Sequence, residues 1–150
     1  MGRRAQGDNG GGGILVSPKA VSRRVLVSTG GGPWEAVGGY SRAVVQGDVC
    51  EVAGTTDAGP DGTSIHPGDA GAQARAAFGI VEAALAQAGF SLHDVVRTRM
   101  YLVNPADTDA VIAVHGELFR DVRPASTLVV VAALVHPSLR VEVEATACRA

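Results

Sequence analysis

The stretch "DVVRTRMYLV" at residues 94–103 decides the fold class, because its alternation predicts a strand in the middle of the chain. One face of this strand is expected to carry Val96, Thr98, Met100 and Leu102. The opposite face is expected to carry Arg97, Arg99, Tyr101 and Val103. One apolar face and one polar face predict a strand that packs against the core on a single side.

Amphipathic helices are predicted on both sides of this strand. Before it, Asp69 is a candidate N-cap and Gly89 a candidate helix end. The apolar stripe between them consists of Ala74, Phe78, Val81, Leu85 and Ala88. After the strand, a second helix is predicted from about Asp107 to Asp121. Its apolar face is expected to consist of Ala110, Val111, Val114, Leu118 and Phe119.

Strands are predicted at both ends of this central unit. Gly47-Asp48 is a hairpin signal between two strand-like runs. The apolar run within "RPASTLVVVAAL" (123–134) predicts a buried strand. The remaining strand segments are "RVLVS" (24–28), "YSRAVVQ" (40–46), "VCEVAGTT" (49–56) and "LRVEVEATA" (139–147). The order strands, helix, strand, helix, strands predicts an α+β fold, with a mixed sheet of about six strands and two helices on one face.

Composition narrows the function classes. The chain has 150 residues, 46% of them hydrophobic and 19% charged, with a formal net charge of −2. This balance and the absence of a long basic cluster argue against a nucleic-acid partner. No apolar run is long enough to predict a membrane partner. We expect residues 1–13 to form a disordered Gly-rich tail and residues 14–150 a single domain.

Two further observations bear on location and on metals. Cys50 and Cys148 have no CxxC spacing, and the polar amino terminus has no signal-peptide character, so a reducing, cytoplasmic location is expected. His66, His93, His115 and His136 lie in four different segments without metal-ligand spacing, so no metal site is expected.

Three groups of polar residues leave both a structural and a functional interpretation open. Glu142 and Glu144 share one strand face, which is either solvent-exposed or part of a cleft with a general acid/base. Arg97 and Arg99 form either a solvated face with ion pairs or an anion clamp. Tyr40, after two glycines, is either a cleft donor or a half-buried strand aromatic.

Taken together, the segments resemble the Rid family, the YjgF-type imine and enamine deaminases formerly called L-PSP endoribonucleases. The resemblance covers about residues 34 to 148. It is carried by "GGYSRAVVQGD" (38–48), "VAGTT" (52–56), "ALAQAGFSLHDVVRTRMYLVN" (84–104), "RPASTLVVVAAL" (123–134) and "VEVEATA" (141–147). It implies a chorismate-mutase-like fold, a homotrimer with clefts between subunits, a small-molecule substrate and no cofactor.

The resemblance also implies roles for individual residues. Glu142 matches the Glu that handles water in hydrolysis of 2-amino-acid imines and enamines. Tyr40 matches a tyrosine that lines the cleft, although Gly39 stands where the family has proline. Gly54 matches a glycine whose backbone lies near the substrate.

The chain departs from the family pattern at the mouth of the strand after Pro124. Where the family has Pro-Ala-Arg-Ser, this chain has Pro-Ala-Ser126-Thr127, so Ser126 replaces the arginine that grips the substrate carboxylate. Losing such a charged partner typically costs roughly 2–5 kcal/mol. Ser126 and Thr127 would then bind substrate by neutral hydrogen bonds, and Arg99 is a candidate relocated clamp. The second helix departs as well, because this chain has Ile112 and His115 where many members carry Asn before a Tyr.

Three functional hypotheses follow. The first is an enzyme, in which Glu142 directs hydrolysis of an imine, enamine or related intermediate, with poor activity on 2-amino-acid imines. The second is a non-catalytic small-molecule-binding trimer. A specialised biosynthetic member acting on one pathway intermediate is a variant of the first. The third hypothesis is RNA cleavage, which the net charge of −2 disfavours.

Overall fold

The computed structural model describes residues 23–28 and 34–149. The tail expected at residues 1–13 lies outside these ranges, as do residues 14–22 of the expected domain. The strands are β1 (Arg24–Val27), β2 (Ala43–Gln46), β3 (Val49–Thr55), β4 (Val95–Leu102), β5 (Ala125–Val130) and β6 (Val141–Cys148). The α-helices are α1 (Trp34–Gly38), α2 (Ala70–Gln87) and α3 (Thr108–Phe119).

The six strands form one mixed sheet in the order β1-β2-β3-β6-β4-β5. Every neighbouring pair is antiparallel except β4 and β5, which α3 connects as a crossover helix. The predicted hairpin is confirmed, since Gln46 pairs with Val49 around Gly47 and Asp48. Gly47 has a φ of 62°, a conformation that glycine adopts without strain.

The core lies between one face of the sheet and the helices α2 and α3. On β6, Val141, Val143, Ala145 and Ala147 are buried and the residues between them are not. On α2, the predicted stripe is buried except for the partly buried Ala88. The α+β fold with two helices on one sheet face is therefore confirmed. The short helix α1 was not predicted, because its five residues are too few to show a helical period.

The alternation predicted for β4 is wrong at Val96. Val95 pairs with Ala147 while Arg97 pairs with Thr146, so two residue steps on β4 match one on β6. This β-bulge buries Val95 and leaves Val96 48% exposed. From Arg97 onward the predicted faces are confirmed up to the strand end at Leu102.

The strand predicted within residues 123–134 is confirmed as β5, but its predicted burial is wrong. β5 ends at Val130, lies at the edge of the sheet and has only Leu128 partly buried. Residues 131–140 form no strand. An apolar run predicts a tendency to be buried but not what covers it, and β5 has a neighbouring strand on one side only.

On α3, Val111, Val114 and Phe119 are buried and Leu118 is partly buried, as predicted, whereas Ala110 is exposed. The helix is shorter than predicted because residues Pro105–Asp107 form a 3-10 turn in front of it. None of the helices in the described part of the chain combines the length and the apolar character needed to cross a membrane.

Candidate functional site

Glu142 lies on the face of the sheet that the helices leave uncovered, directly opposite Tyr101 of β4. Its neighbour on the other side is β3, where the register shifts between Val52 and Thr55. Gly54 lies within this irregularity. A methyl group built on Gly54 would overlap Oε1 of Glu142. The carboxylate of Glu142 therefore occupies the volume that a side chain at position 54 would need.

The environment of Glu142 favours its protonated form. Burial raises the pKa of Glu142, and the negative charge of Glu144 on the same strand face raises it further. The positive charge of Arg42 lowers the pKa in part. A raised pKa makes this carboxyl a better proton acceptor when ionised, which favours a role as a general acid/base.

Sequence reasoning missed Arg42 as a site residue. Its Nη1 donates hydrogen bonds to the carbonyl of Gly54 at 3.1 Å and to Oγ1 of Thr55 at 2.6 Å. The guanidinium is therefore hydrogen-bonded to the same irregular part of β3 against which the carboxylate of Glu142 lies. The available signal was its place two residues after Tyr40 and directly before β2.

Arg99 and Tyr40 lie at a neighbouring groove on the same sheet face. Nη1 of Arg99 lies 2.7 Å from Oε1 of Glu144, so this guanidinium already has a carboxylate partner. Tyr40 is 43% exposed and lines a groove of about 450 Å³ together with Arg99 and Glu144. Neither Glu142 nor Gly54 lines this groove.

Ser126 and His115 lie on the opposite, helix-bearing face. Oγ1 of Thr98 lies 2.9 Å from Oγ of Ser126 and 2.9 Å from Nε2 of His115. The His115 ring packs against Phe119, with 4.7 Å between ring centroids. Burial lowers the pKa of His115, which favours the neutral form of the ring. Thr98, Ser126 and His115 form a chain of neutral hydrogen-bonding groups.

Thr127 points away from Ser126, as expected for consecutive strand residues. Its hydroxyl accepts a hydrogen bond of 3.2 Å from Nη2 of Arg97 on the uncovered face. The sequence-predicted residues therefore form two groups separated by the sheet. The uncovered face is associated with five of them, namely Glu142, Gly54, Tyr40, Arg99 and Thr127. The helix side is associated with Ser126 and His115. One chain alone does not bring Ser126 and Glu142 together.

No group of three His, Cys, Asp or Glu side chains suited to holding a metal ion occurs within residues 23–28 and 34–149. The site residues themselves are an isolated carboxyl, a guanidinium, hydroxyls and backbone groups. Such a set can bind a small polar molecule and transfer a proton.

Comparison with known proteins gives the family. The family model described as Endoribonuclease L-PSP matches residues 32–149. The uncharacterized protein SCO2049 of Streptomyces coelicolor is 42% identical over 119 residues, which are 79% of this chain and 88% of that protein. The 3-aminoacrylate deaminase RutC of Acinetobacter baylyi is 32% identical over 108 residues, 72% of this chain and 85% of that enzyme.

A solved structure agrees with these matches. The crystal structure of Rv2704 from Mycobacterium tuberculosis, a member of the YjgF/YER057c/UK114 family, superimposes with a TM-score of 0.75 at 43% identity. The match covers 85% of this chain and all of the other. The matched residues 32–149 include Glu142 and the strands β2 to β6, so this part of the chain has a known family. This chain belongs to the YjgF/YER057c/UK114 family, also called the Rid family.

Proposed function

We propose that this chain is a hydrolase acting on an imine, enamine or related small reactive intermediate, with Glu142 as the acid/base. The observation that carries this proposal is the half-buried carboxyl of Glu142, held over the bare backbone of Gly54 with a raised pKa. The similarity to an enzyme named 3-aminoacrylate deaminase supports the same reaction type.

The proposed chemistry needs only water and one proton-transferring group. The carboxylate of Glu142 takes a proton from water as the water oxygen bonds to the imine carbon, and the π electrons of the C=N bond move to nitrogen. Glu142 then returns the proton to nitrogen. Glu142 then moves the hydroxyl proton of the carbinolamine to its nitrogen, and the C=O bond forms as the C–N bond breaks, so that ammonia and a carbonyl compound are released. An enamine enters the same sequence after protonation at carbon.

We propose that the complete cleft forms between copies of the chain in a homotrimer. The support is the separation of the two residue groups, since the sheet lies between Ser126 and Glu142 in one chain. A cleft that joins them therefore needs Ser126 and His115 from one subunit and Glu142 and Tyr40 from its neighbour. The exposed edge strand β5 and the uncovered sheet face are the surfaces available for that contact.

The neutral group around Ser126 supports weak binding of a carboxylate at that half of the cleft. Ser126, Thr98 and His115 satisfy one another by hydrogen bonds and contribute no positive charge. We therefore propose that amino-acid imines bind poorly wherever their carboxylate must lie beside Ser126. Thr127 and Arg99 contribute to substrate binding only from the uncovered face.

The RNA-cleaving activity named in the family model's description is not our proposal. Arg75, Arg99 and Arg140 each pair with a carboxylate, which reduces the positive charge available to phosphates. We also propose that the chain carries a single domain of this family, which the family match over residues 32–149 supports. The free thiols of Cys50 and Cys148 support a reducing, cytoplasmic location.

The test is release of ammonia from 2-iminopropionate and from an uncharged imine, each generated in situ. Glu142→Gln should lower turnover of the accepted substrate by about 100-fold or more, because the amide cannot transfer the proton. Glu82→Gln, at an exposed position on α2, is the matched control and should retain wild-type turnover. Unchanged turnover in Glu142→Gln would remove Glu142 from this role. A compound that stabilises the protein but is recovered unchanged would favour the non-catalytic binding trimer.

A further inference from the structure

The guanidinium of Arg42 is held at the site by neutral groups. Its Nη1 donates to the Gly54 carbonyl and to the Thr55 hydroxyl. Its Nε is buried and has no acceptor among the described residues. The side chain is therefore anchored at one nitrogen while another donor is left unsatisfied, which is unfavourable unless a further partner is bound.

Three other arginines have their charge compensated by a carboxylate. Carboxylate partners lie within ion-pair distance of Arg75, Arg99 and Arg140. Across residues 23–28 and 34–149, no such ion pair involves Arg42. A partly buried cation without a counter-charge favours binding of an anion, because desolvation weakens its interaction with water.

Arg42 and Glu142 meet at a single residue of β3. The Gly54 carbonyl accepts a hydrogen bond from Arg42, and the space beside the Gly54 α-carbon holds the carboxylate of Glu142. The charge of Arg42 acts on Glu142, although the two groups form no ion pair. A carboxylate bound at Arg42 would therefore place the carbon atom bonded to that carboxylate close to Glu142.

We propose that Arg42 binds a carboxylate of the substrate, in place of the arginine whose position Ser126 occupies. The substrate carboxylate then lies on the Glu142 side of the cleft, beside Gly54. The catalytic part of this inference rests on the proposed function, and its binding part does not. Arg99 is the poorer clamp, because Glu144 already holds it.

Calorimetry with pyruvate and its uncharged amide, pyruvamide, tests the binding part without requiring turnover. Wild type should bind pyruvate more tightly than pyruvamide. Arg42→Gln should weaken pyruvate binding by about 30-fold or more and leave pyruvamide binding unchanged, since only the anion loses a charged partner. Arg75→Gln is the control, because Arg75 lies on α2 and pairs with Glu117, and it should leave the binding of both compounds unchanged.

Wild type that binds the two compounds equally would overturn the proposal, as would unchanged pyruvate binding in Arg42→Gln. Loss of pyruvate binding in Arg123→Gln instead would place the anion on the helix side, where Arg123 lines a groove with His115. If Arg42→Gln does not fold, nuclear magnetic resonance of wild type replaces it. Pyruvate titration should shift the Nε–H resonance of Arg42, which is assigned by its loss in Arg42→Lys. An unmoved resonance would contradict the proposal. Arg42-dependent pyruvate binding without imine turnover would refute the hydrolase and leave this inference standing.

Discussion

At the scale of single residues, Gly54 and Glu142 form one unit. The Glu142 carboxylate lies where a β-carbon of residue 54 would be, so the absence of a side chain sets the position of the acid/base. Burial and Glu144 then raise the pKa of that carboxyl. Because the overlapping atom is the end of a flexible side chain, a substitution at position 54 should move Glu142 rather than unfold the protein.

Gly54→Ala tests this relation. We expect the variant to fold and to lose about 100-fold in turnover, because a shift of about 1 Å in a reacting group costs that much. The control is Gly79→Ala, where a β-carbon meets no atom within 4 Å. The control should retain turnover and gain about 1 kcal/mol in helix stability. Full activity of Gly54→Ala, measured by ammonia release, would contradict the placement of Glu142.

The raised pKa of Glu142 predicts a pH-dependent difference in stability. The folded-state pKa lies above the ordinary value of 4.5, so in the interval above 4.5 the folded protein holds a proton that the unfolded chain releases. The stability that this bound proton contributes is complete below pH 4.5 and is lost as the pH rises through the folded-state pKa of Glu142. Thermal midpoints of Glu142→Gln should therefore exceed those of wild type at about pH 8 and converge with them at about pH 4. A midpoint difference independent of pH would argue against the raised pKa.

At the scale of secondary-structure elements, the start of α2 depends on one side chain. Oδ1 of Asp69 accepts a hydrogen bond of 2.9 Å from the backbone N–H of Ala72. The helix that begins there contributes Phe78 and Leu85 to the core. Gly89, with a φ of 78°, follows its carboxyl end, so both predicted end signals are confirmed.

Asp69→Ala should lower the free energy of unfolding by about 1 kcal/mol, because the N-terminal amides of α2 lose their acceptor. Asp69→Asn retains a capping oxygen and should stay within a few tenths of a kcal/mol of wild type. Urea unfolding at one fixed protein concentration measures both variants. Equal loss in the two variants would show that the charge of Asp69, and not its capping bond, stabilises the helix.

At the scale of the whole molecule, one face of the sheet is left uncovered by residues 23–28 and 34–149. Leu26 and Val129 on this face are 60% and 42% exposed. The same face carries Glu142 and the ion pair of Arg99 with Glu144. A surface that combines apolar strand residues with the proposed site is suited to contact with further copies of the chain.

The proposed trimer predicts a mass of about 46 kDa in solution, three times the 15.2 kDa of one chain. Val129→Glu places a charge on the exposed sheet face and should shift the mass toward that of a single chain, with loss of turnover. Ala86→Glu, at an exposed position on α2, adds the same charge away from that face and should leave both unchanged. Light scattering after size-exclusion chromatography measures the masses. A wild-type mass of one chain would exclude the trimer.

The sequence by itself determined the elements and the core face of this protein. Periods of two and of three to four residues predicted five strands close to their observed ranges, as well as α2, α3 and the buried side of β6. These features are local, because side-chain alternation and capping residues act within a few positions of the chain. The match of Glu142, Tyr40 and Gly54 to a family pattern was equally readable from the sequence.

Only the tertiary structure decided the features that depend on contacts between distant segments. The bulge at Val95 and Val96, the exposure of β5 and the pairing of Arg99 with Glu144 each depend on which strand lies beside another. Arg42 reaches Gly54 because β2 and β3 pair, although twelve positions separate the two residues. The separation of Ser126 from Glu142 follows from strand order, and no local pattern encodes which side of a sheet each residue meets.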